Sequence, residues 1–247
     1  HAKTNPDKPA YIMAGSGETV TYGQLEARSN QVAHALRGAG CKPGDTIALF
    51  AENSPRYFEI CWGAQRAGLY YVAISSRLTA PEVEYILSDS GAKLFIAGAS
   101  KRAVAEEVKA LTNLEHYWSI DGPMPGFAPL ETLRGAFPET PIADQMAGTD
   151  MLYSSGTTGR PKGIRPALEP DMPIDDTNVL IQILQAFSGA GPDSVYLSPA
   201  PLYHAAPLRY CMTFMKLGAT LVIMEKFDAE SLLKYIQQYK VTHMQMV

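Results

Sequence analysis

The sequence has only three cysteines in 247 residues, Cys41, Cys61 and Cys211. The number is odd and none stands in a CxxC or CxxH spacing, so neither a disulfide framework nor a structural zinc site is suggested, and a reducing cytoplasm fits best. No run approaches the ~18 consecutive apolar residues of a membrane span, and the opening residues lack the charged start and apolar middle of a secretion signal. The reading is of a soluble, cytoplasmic protein. Lysine and arginine total 21 against 25 acidic residues, a net charge of −4, and form no block long enough to follow a phosphate backbone. This argues against general nucleic-acid binding. Charged residues are 19% and hydrophobic residues 46%, which excludes a disordered chain, and the 20 glycines and 18 prolines follow no collagen period.

What remains is a globular chain with room for one large domain or two small ones. Thr21 with Gln24 three residues on is a capping-box pattern, and Leu25, Val32, Ala33 and Leu36 follow at helical spacing. Gly38 and Gly40 end that helix. Thr46 to Ala51 reads as a short apolar strand, Pro55 opens a helix toward Gly68, and Leu69 to Ile74 is the next strand. Thr79, Pro81 and Glu82 start a third helix that Gly91 closes. A strand from Ala92 to Ala97 and a helix over Arg102 to Leu111 come next. Strand and helix alternate, and because a parallel strand pair needs a crossover that a helix usually supplies, the expected fold class is α/β with parallel sheets flanked by helices.

Prolines 123, 125, 129, 138 and 141 interrupt the rhythm. They read as a connection over 121–149 between a first α/β sub-region, 1–120, and a second, 150–247. In the second, a strand ends near Tyr153, a helix covers about 178–187, and a strand lies near 194–198. A helix over about 208–217, a strand at 220–224, a helix at 228–239 and a terminal strand complete it. The chain starts at His1 and stops in the apolar run 241–247. The expectation is therefore a portion of a longer polypeptide.

Chemistry concentrates in Tyr153 to Gly163, YSSGTTGRPKG, directly after the apolar pair Met151 and Leu152. Glycines let backbone N–H groups converge on an anion without side-chain clash, and Ser154, Ser155, Thr157 and Thr158 add hydroxyl donors around the same point. Lys162 supplies a movable positive charge. At about 4 Å from a phosphate oxygen, with an effective dielectric near 20, its attraction is on the order of 4 kcal/mol before desolvation. A surface turn rich in Gly and Ser would need none of this order. The P-loop spacing GxxxxGK[ST] is broken, because Pro161 stands five residues past Gly156 and Gly163 follows the lysine. GxGxxG is absent too, which counts against a dinucleotide-binding Rossmann enzyme.

All eleven positions of YSSGTTGRPKG resemble the phosphate-loop motif of the adenylate-forming, or AMP-binding, superfamily. TYGQLEARSNQVAHALRGAGCKPGDTIALF, NSPRYFEICWGAQRAGLYYVAI and the later PAPLYHAAP are similar to the same family in the same order. The resemblance implies the N-terminal portion of an acyl-CoA synthetase. Such a ligase lets a carboxylate attack the α-phosphorus of ATP, releases pyrophosphate, and passes the acyl group to a thiol such as CoA. It implies ATP, Mg²⁺ and CoA as the small molecules, beside a fatty or other apolar carboxylic acid. Ser154, Ser155, Gly156, Thr157, Thr158, Gly159 and Lys162 would then be the nucleotide-binding residues, with the Thr157 hydroxyl near the metal. Lys162 and His204, the latter lining the acyl pocket beside the reacting carboxylate, would be the catalytic pair. A homodimer is one assembly open to such a protein.

Two alternatives stay open: an adenylation domain that loads a carrier protein, and a nucleotide-binding module without turnover. By itself His204 could equally be a structural histidine at a strand end, and Met212, Phe214 and Met215 read either as plain core or as the wall of an acyl tunnel. After Gly163 the family often continues with a polar strand and a Ser/Thr-His pair, where this sequence has IRPALEPDMPIDD. The family's metal-binding Thr-Glu, ribose-binding Asp and C-terminal lysine match no residue in the 247, so the piece alone is expected to be inactive.

Overall fold

The computed structural model describes residues 1–154, 160–170, 172–176 and 179–246. The chain folds into two compact units, neither continuous in sequence. The first comprises His1–Glu26, Asn53–Phe58 and Asp175–Val247, and the second Ala27–Glu52 and Glu59–Ile174.

The second unit is built on a six-stranded sheet in the order Ala128–Pro129, His116–Ile120, Ala92–Gly98, Thr46–Phe50, Tyr70–Ile74 and Thr149–Asp150, parallel throughout. The neighbouring inner strands Thr46–Phe50 and Tyr70–Ile74 are buried along their whole length. That is why they read as continuous apolar runs and not as alternating ones. Helix Ala80–Ser90 begins with the expected capping box, in which the Thr79 amide donates to the Glu82 carboxylate at 2.8 Å, and it ends at Gly91 with φ 64°. Its buried Val83, Ile86 and Leu87 meet Phe50, Val72 and Phe95 in one core, to which Ala105 and Val108 of helix Arg102–Leu111 also belong. Each such fully buried large side chain contributes about 1.5–3 kcal/mol.

The first unit holds a five-stranded sheet in the order His243–Met244, Val195–Ser198, Thr220–Ile223, Pro9–Met13 and Thr19–Thr21, parallel except for the last, antiparallel pair. Thr21 and Gln24 form the second capping box, each backbone N–H donating to the other's side chain. Asp228 caps helix Ala229–Tyr239 by accepting from the Ser231 amide at 2.7 Å. The fold class is the expected one, parallel sheets with helices.

The division of the chain differs from the linear one expected. Residues 121–149 are built into the second unit, which owns both the edge strand Ala128–Pro129 and the strand Thr149–Asp150. Proline cannot donate to a ladder, so between these two short strands side chains also hold the stretch. Along helix Tyr22–Gly38, Asn30 and Gln31 donate to the carbonyls of Glu139 and Phe137 at 2.7 and 3.2 Å, and the His34 ring bonds that of Thr140 at 2.9 Å. Arg134, on the short helix Leu130–Arg134, pairs with the fully buried Glu59 carboxylate, which Arg28 also reaches at 3.0 Å.

Candidate functional site

The segment after Met151 is a β-hairpin. Leu152–Ser154 pairs antiparallel with Lys162–Ile164, with Lys162 opposite Ser154 and Gly163 opposite Tyr153. Directly paired residues share a face of the ladder, so the Lys162 and Ser154 side chains emerge side by side at the end of the ladder. Lys162 is exposed. A Cβ on Gly163 would come within 2.6 Å of the Met151 methyl carbon and 2.9 Å of the Tyr153 ring, which explains glycine directly after the lysine. Ser155, Gly156, Thr157, Thr158 and Gly159 lie outside the described residues.

Tyr153 on one strand and Arg160 and Pro161 ahead of the other are tied to helix Ala80–Ser90. The Tyr85 hydroxyl donates to the Pro161 carbonyl at 3.2 Å, and the Arg160 guanidinium lies 5.2 Å from the centre of the Tyr85 ring. On the other strand the Tyr153 hydroxyl donates to Asp89 at 2.7 Å. Burial, with the Asp89 hydrogen bond and charge added, pushes the Tyr153 hydroxyl above its ordinary range, so it stays a donor at neutral pH. Beyond the hairpin, the stretch that departs from the family pattern is also anchored. Arg165 stacks 4.2 Å over the Tyr70 ring and donates to the Gly44 carbonyl, while the Tyr70 hydroxyl donates to that of Pro166 at 2.6 Å.

His204 belongs to the first unit, Ser154 and Lys162 to the second. It is the N-cap of helix Ala205–Lys216, with extended backbone at φ −86° and ψ 147°, and its ring is exposed, 4.5 Å from that of Tyr203. The helix starts three residues earlier than the spacing suggests, because Pro207 fits its first turn without losing a bonded N–H. Met212, Phe214 and Met215 are buried, and Phe214 stacks on Tyr196 at 4.3 Å. They pack as core between helix and sheet. His34 and His243 serve backbone carbonyls, those of Thr140 and Ser188. Tyr85 and Asp89 had no readable signal, since a Tyr and an Asp on a helix carry no spacing that names a loop 64–76 residues away.

Among the described residues, no three His, Cys, Asp or Glu side chains gather into a group that could hold a metal. Mg²⁺ is ordinarily held by one or two carboxylates plus substrate phosphates. A site of that kind needs no cluster of three protein ligands. Cys41, Cys61 and Cys211 are buried free thiols, and no helix among the described residues is long and apolar enough to cross a membrane.

The chain is similar to known proteins along almost its whole length. The fatty acid–[acyl-carrier-protein] ligase ScoC of Streptomyces coeruleorubidus is 32% identical over 98% of the chain and 45% of its own length. The long-chain-fatty-acid–CoA ligase FadD13 of Mycobacterium tuberculosis is 31% identical over 97% of the chain and 46% of its own length. The crystal structure of the N-terminal domain of FACL13 from Mycobacterium tuberculosis, solved with an inhibitor, superposes with a TM-score of 0.83 at 28% identity, covering 97% of this chain and 59% of that one. The chain thus spans a little under half the length of the two ligases. The family model described as AMP-binding enzyme matches residues 1–247 throughout, and the chain belongs to the AMP-binding enzyme family.

Proposed function

We propose that the protein carrying this chain activates a carboxylic acid with ATP and transfers the acyl group to a thiol. The carboxylate oxygen bonds to the α-phosphorus, the bond from that phosphorus to the oxygen bridging it to the β-phosphorus breaks, and pyrophosphate leaves with the electron pair. The thiol sulfur then replaces AMP on the acyl carbon. The observation that carries this reading is the strand pairing that sets Lys162 beside Ser154, at the two ends of a Gly/Ser/Thr-rich sequence, in a chain of this family. Charge builds on the leaving pyrophosphate, and preorganised donors aimed at that charge lower the barrier. In this reading Ser154, Ser155, Gly156, Thr157, Thr158, Gly159 and Lys162 cradle the β- and γ-phosphates, the Thr157 hydroxyl would help hold Mg²⁺, and His204 lines the pocket for the acid.

A fatty or other apolar acid as substrate, and CoA as acceptor, are supported by the name of the Mycobacterium relative. A carrier protein as acceptor is the second reading, favoured by the Streptomyces one. Pyrophosphate release by the full-length protein against a panel of acids, with CoA, with a carrier protein and with neither, separates the two. A panel on which every acid fails to release pyrophosphate overturns both and leaves a nucleotide-binding module. Lys162→Ala in that protein is expected to slow adenylation about 10²–10³-fold, the usual cost of losing one well-placed donor, with an unchanged melting curve. Unaltered adenylation refutes the phosphate role of Lys162. The 247-residue piece alone is expected to exchange pyrophosphate far more slowly than the whole protein.

A further inference from the structure

His204 stands at the end of a stretch that is poor in backbone donors. In Pro199-Ala200-Pro201-Leu202-Tyr203-His204 two of the six residues are prolines without an N–H, so no ladder can hold it. One side chain from a distant part of the sequence supplies what the backbone lacks. The Asn53 amide oxygen accepts from the Leu202 N–H at 2.8 Å, while its nitrogen donates to the Ala200 carbonyl at 3.2 Å and to the Met224 carbonyl at 2.8 Å. Leu202 and Met224 are buried. Asn53 therefore fastens together the segments that leave two neighbouring parallel strands, Val195–Ser198 and Thr220–Ile223, at their C-terminal ends. That is the edge of an open α/β sheet outside which ligands bind.

Asn53 is itself well fixed. Its short segment, Asn53–Phe58, is a separate piece of the first unit, held by the Tyr11 hydroxyl donating to the Pro55 carbonyl at 2.6 Å and by the ion pair of Arg56 with Glu18. All three bonding positions the amide uses point at one loop system, and no other residue type of this size offers an acceptor and two donors together. An ionised aspartate would keep the acceptor but set negative charge against two carbonyl oxygens. Alanine would leave the Leu202 N–H and both carbonyls without their partner.

We propose that Asn53 is a positioning residue, which sets the place of the His204 backbone and through it the geometry in which the acid is held. This rests on the proposed role of His204 in lining the acid pocket. The test uses the full-length protein with Asn53→Ala and Asn53→Asp, measuring pyrophosphate exchange with acid and ATP varied separately, together with melting curves. The expected result is a loss of about tenfold or more in kcat/KM for the acid in both variants, as for the loss of a bonded buried group, with KM for ATP within about twofold. Unchanged constants for the acid overturn the proposal. So does a parallel decline of acid and ATP constants with the melting temperature, which makes Asn53 a structural residue only.

A second measurement works without turnover. Hydrogen exchange at the Leu202 amide in the same full-length protein is expected to quicken about tenfold in Asn53→Ala, and equal exchange in the two proteins overturns the clamp. If the wild-type protein adenylates no acid while Leu202 is protected by Asn53, the reading of the function has failed and so has the positioning role built on it, whereas the clamp itself stands.

Discussion

Replacing Tyr85 tests whether the segment between Ser154 and Lys162 acts as a preorganised cradle. Tyr85→Phe keeps the ring under Arg160 and removes only the hydroxyl that donates to the Pro161 carbonyl at 3.2 Å. A hydrogen bond of this kind contributes about 0.5–1.5 kcal/mol net, or about 2- to 12-fold. Tyr85→Leu also removes the face over which Arg160 lies, and a cation–π contact at an exposed site adds about 0.5–1 kcal/mol. The sum, about 1–2.5 kcal/mol, corresponds to about 5- to 70-fold. Tyr85 lies on a separate helix, so its expected action is through the positions of Arg160 and Pro161. The assay is ATP–pyrophosphate exchange in the full-length protein, with ATP and pyrophosphate varied separately. The expected ranking is wild type, then Phe, then Leu, seen in the nucleotide constants and not in KM for the acid. Wild-type nucleotide constants in Tyr85→Leu would refute the idea that helix Ala80–Ser90 holds the turn ready for phosphate.

Glu59 is fully buried between Arg28 and Arg134, so Glu59→Gln leaves two guanidinium groups facing a neutral amide. Breaking a buried pair from one side costs about 3–5 kcal/mol, and a urea midpoint unchanged by the substitution would show that Arg134 does not pin the 121–149 stretch. Burial, followed by the Asp45 charge, pushes the Cys41 thiol up to about 11, and burial pushes that of Cys211 up to about 12. An unfolded thiol titrates near 8.5, so the folded state holds more protons between those values, and stability is expected to fall as pH rises from about 8.5 through 11. Cys41→Ala should flatten part of that decline in urea titrations, and an identical alkaline slope in the variant would contradict the assignment.

The elements that could be read directly are those whose causes lie within a turn or two of chain. The Thr79–Glu82 and Thr21–Gln24 boxes, Gly91 in the left-handed region, and the apolar runs of Thr46–Phe50 and Tyr70–Ile74 are local facts of propensity and capping. The order Gly/Ser/Thr, then Arg-Pro-Lys-Gly, was legible for the same reason, because the chemistry of a phosphate loop is written in consecutive residues. Strands Pro9–Met13 and Lys162–Ile164 were not, since a proline start and a glycine centre suppress their strand signal.

Tertiary structure alone decided which distant groups meet: Asn53 with Leu202, Tyr85 with Pro161, Glu59 with Arg134. It also decided that a proline-rich stretch would serve as sheet edge and side-chain-bonded coil inside one unit. The physical reason is common to all of these. A buried carbonyl, amide or carboxylate must find a partner, and when the neighbouring backbone has none to offer, the partner comes from whatever segment the packing of the apolar core has brought alongside.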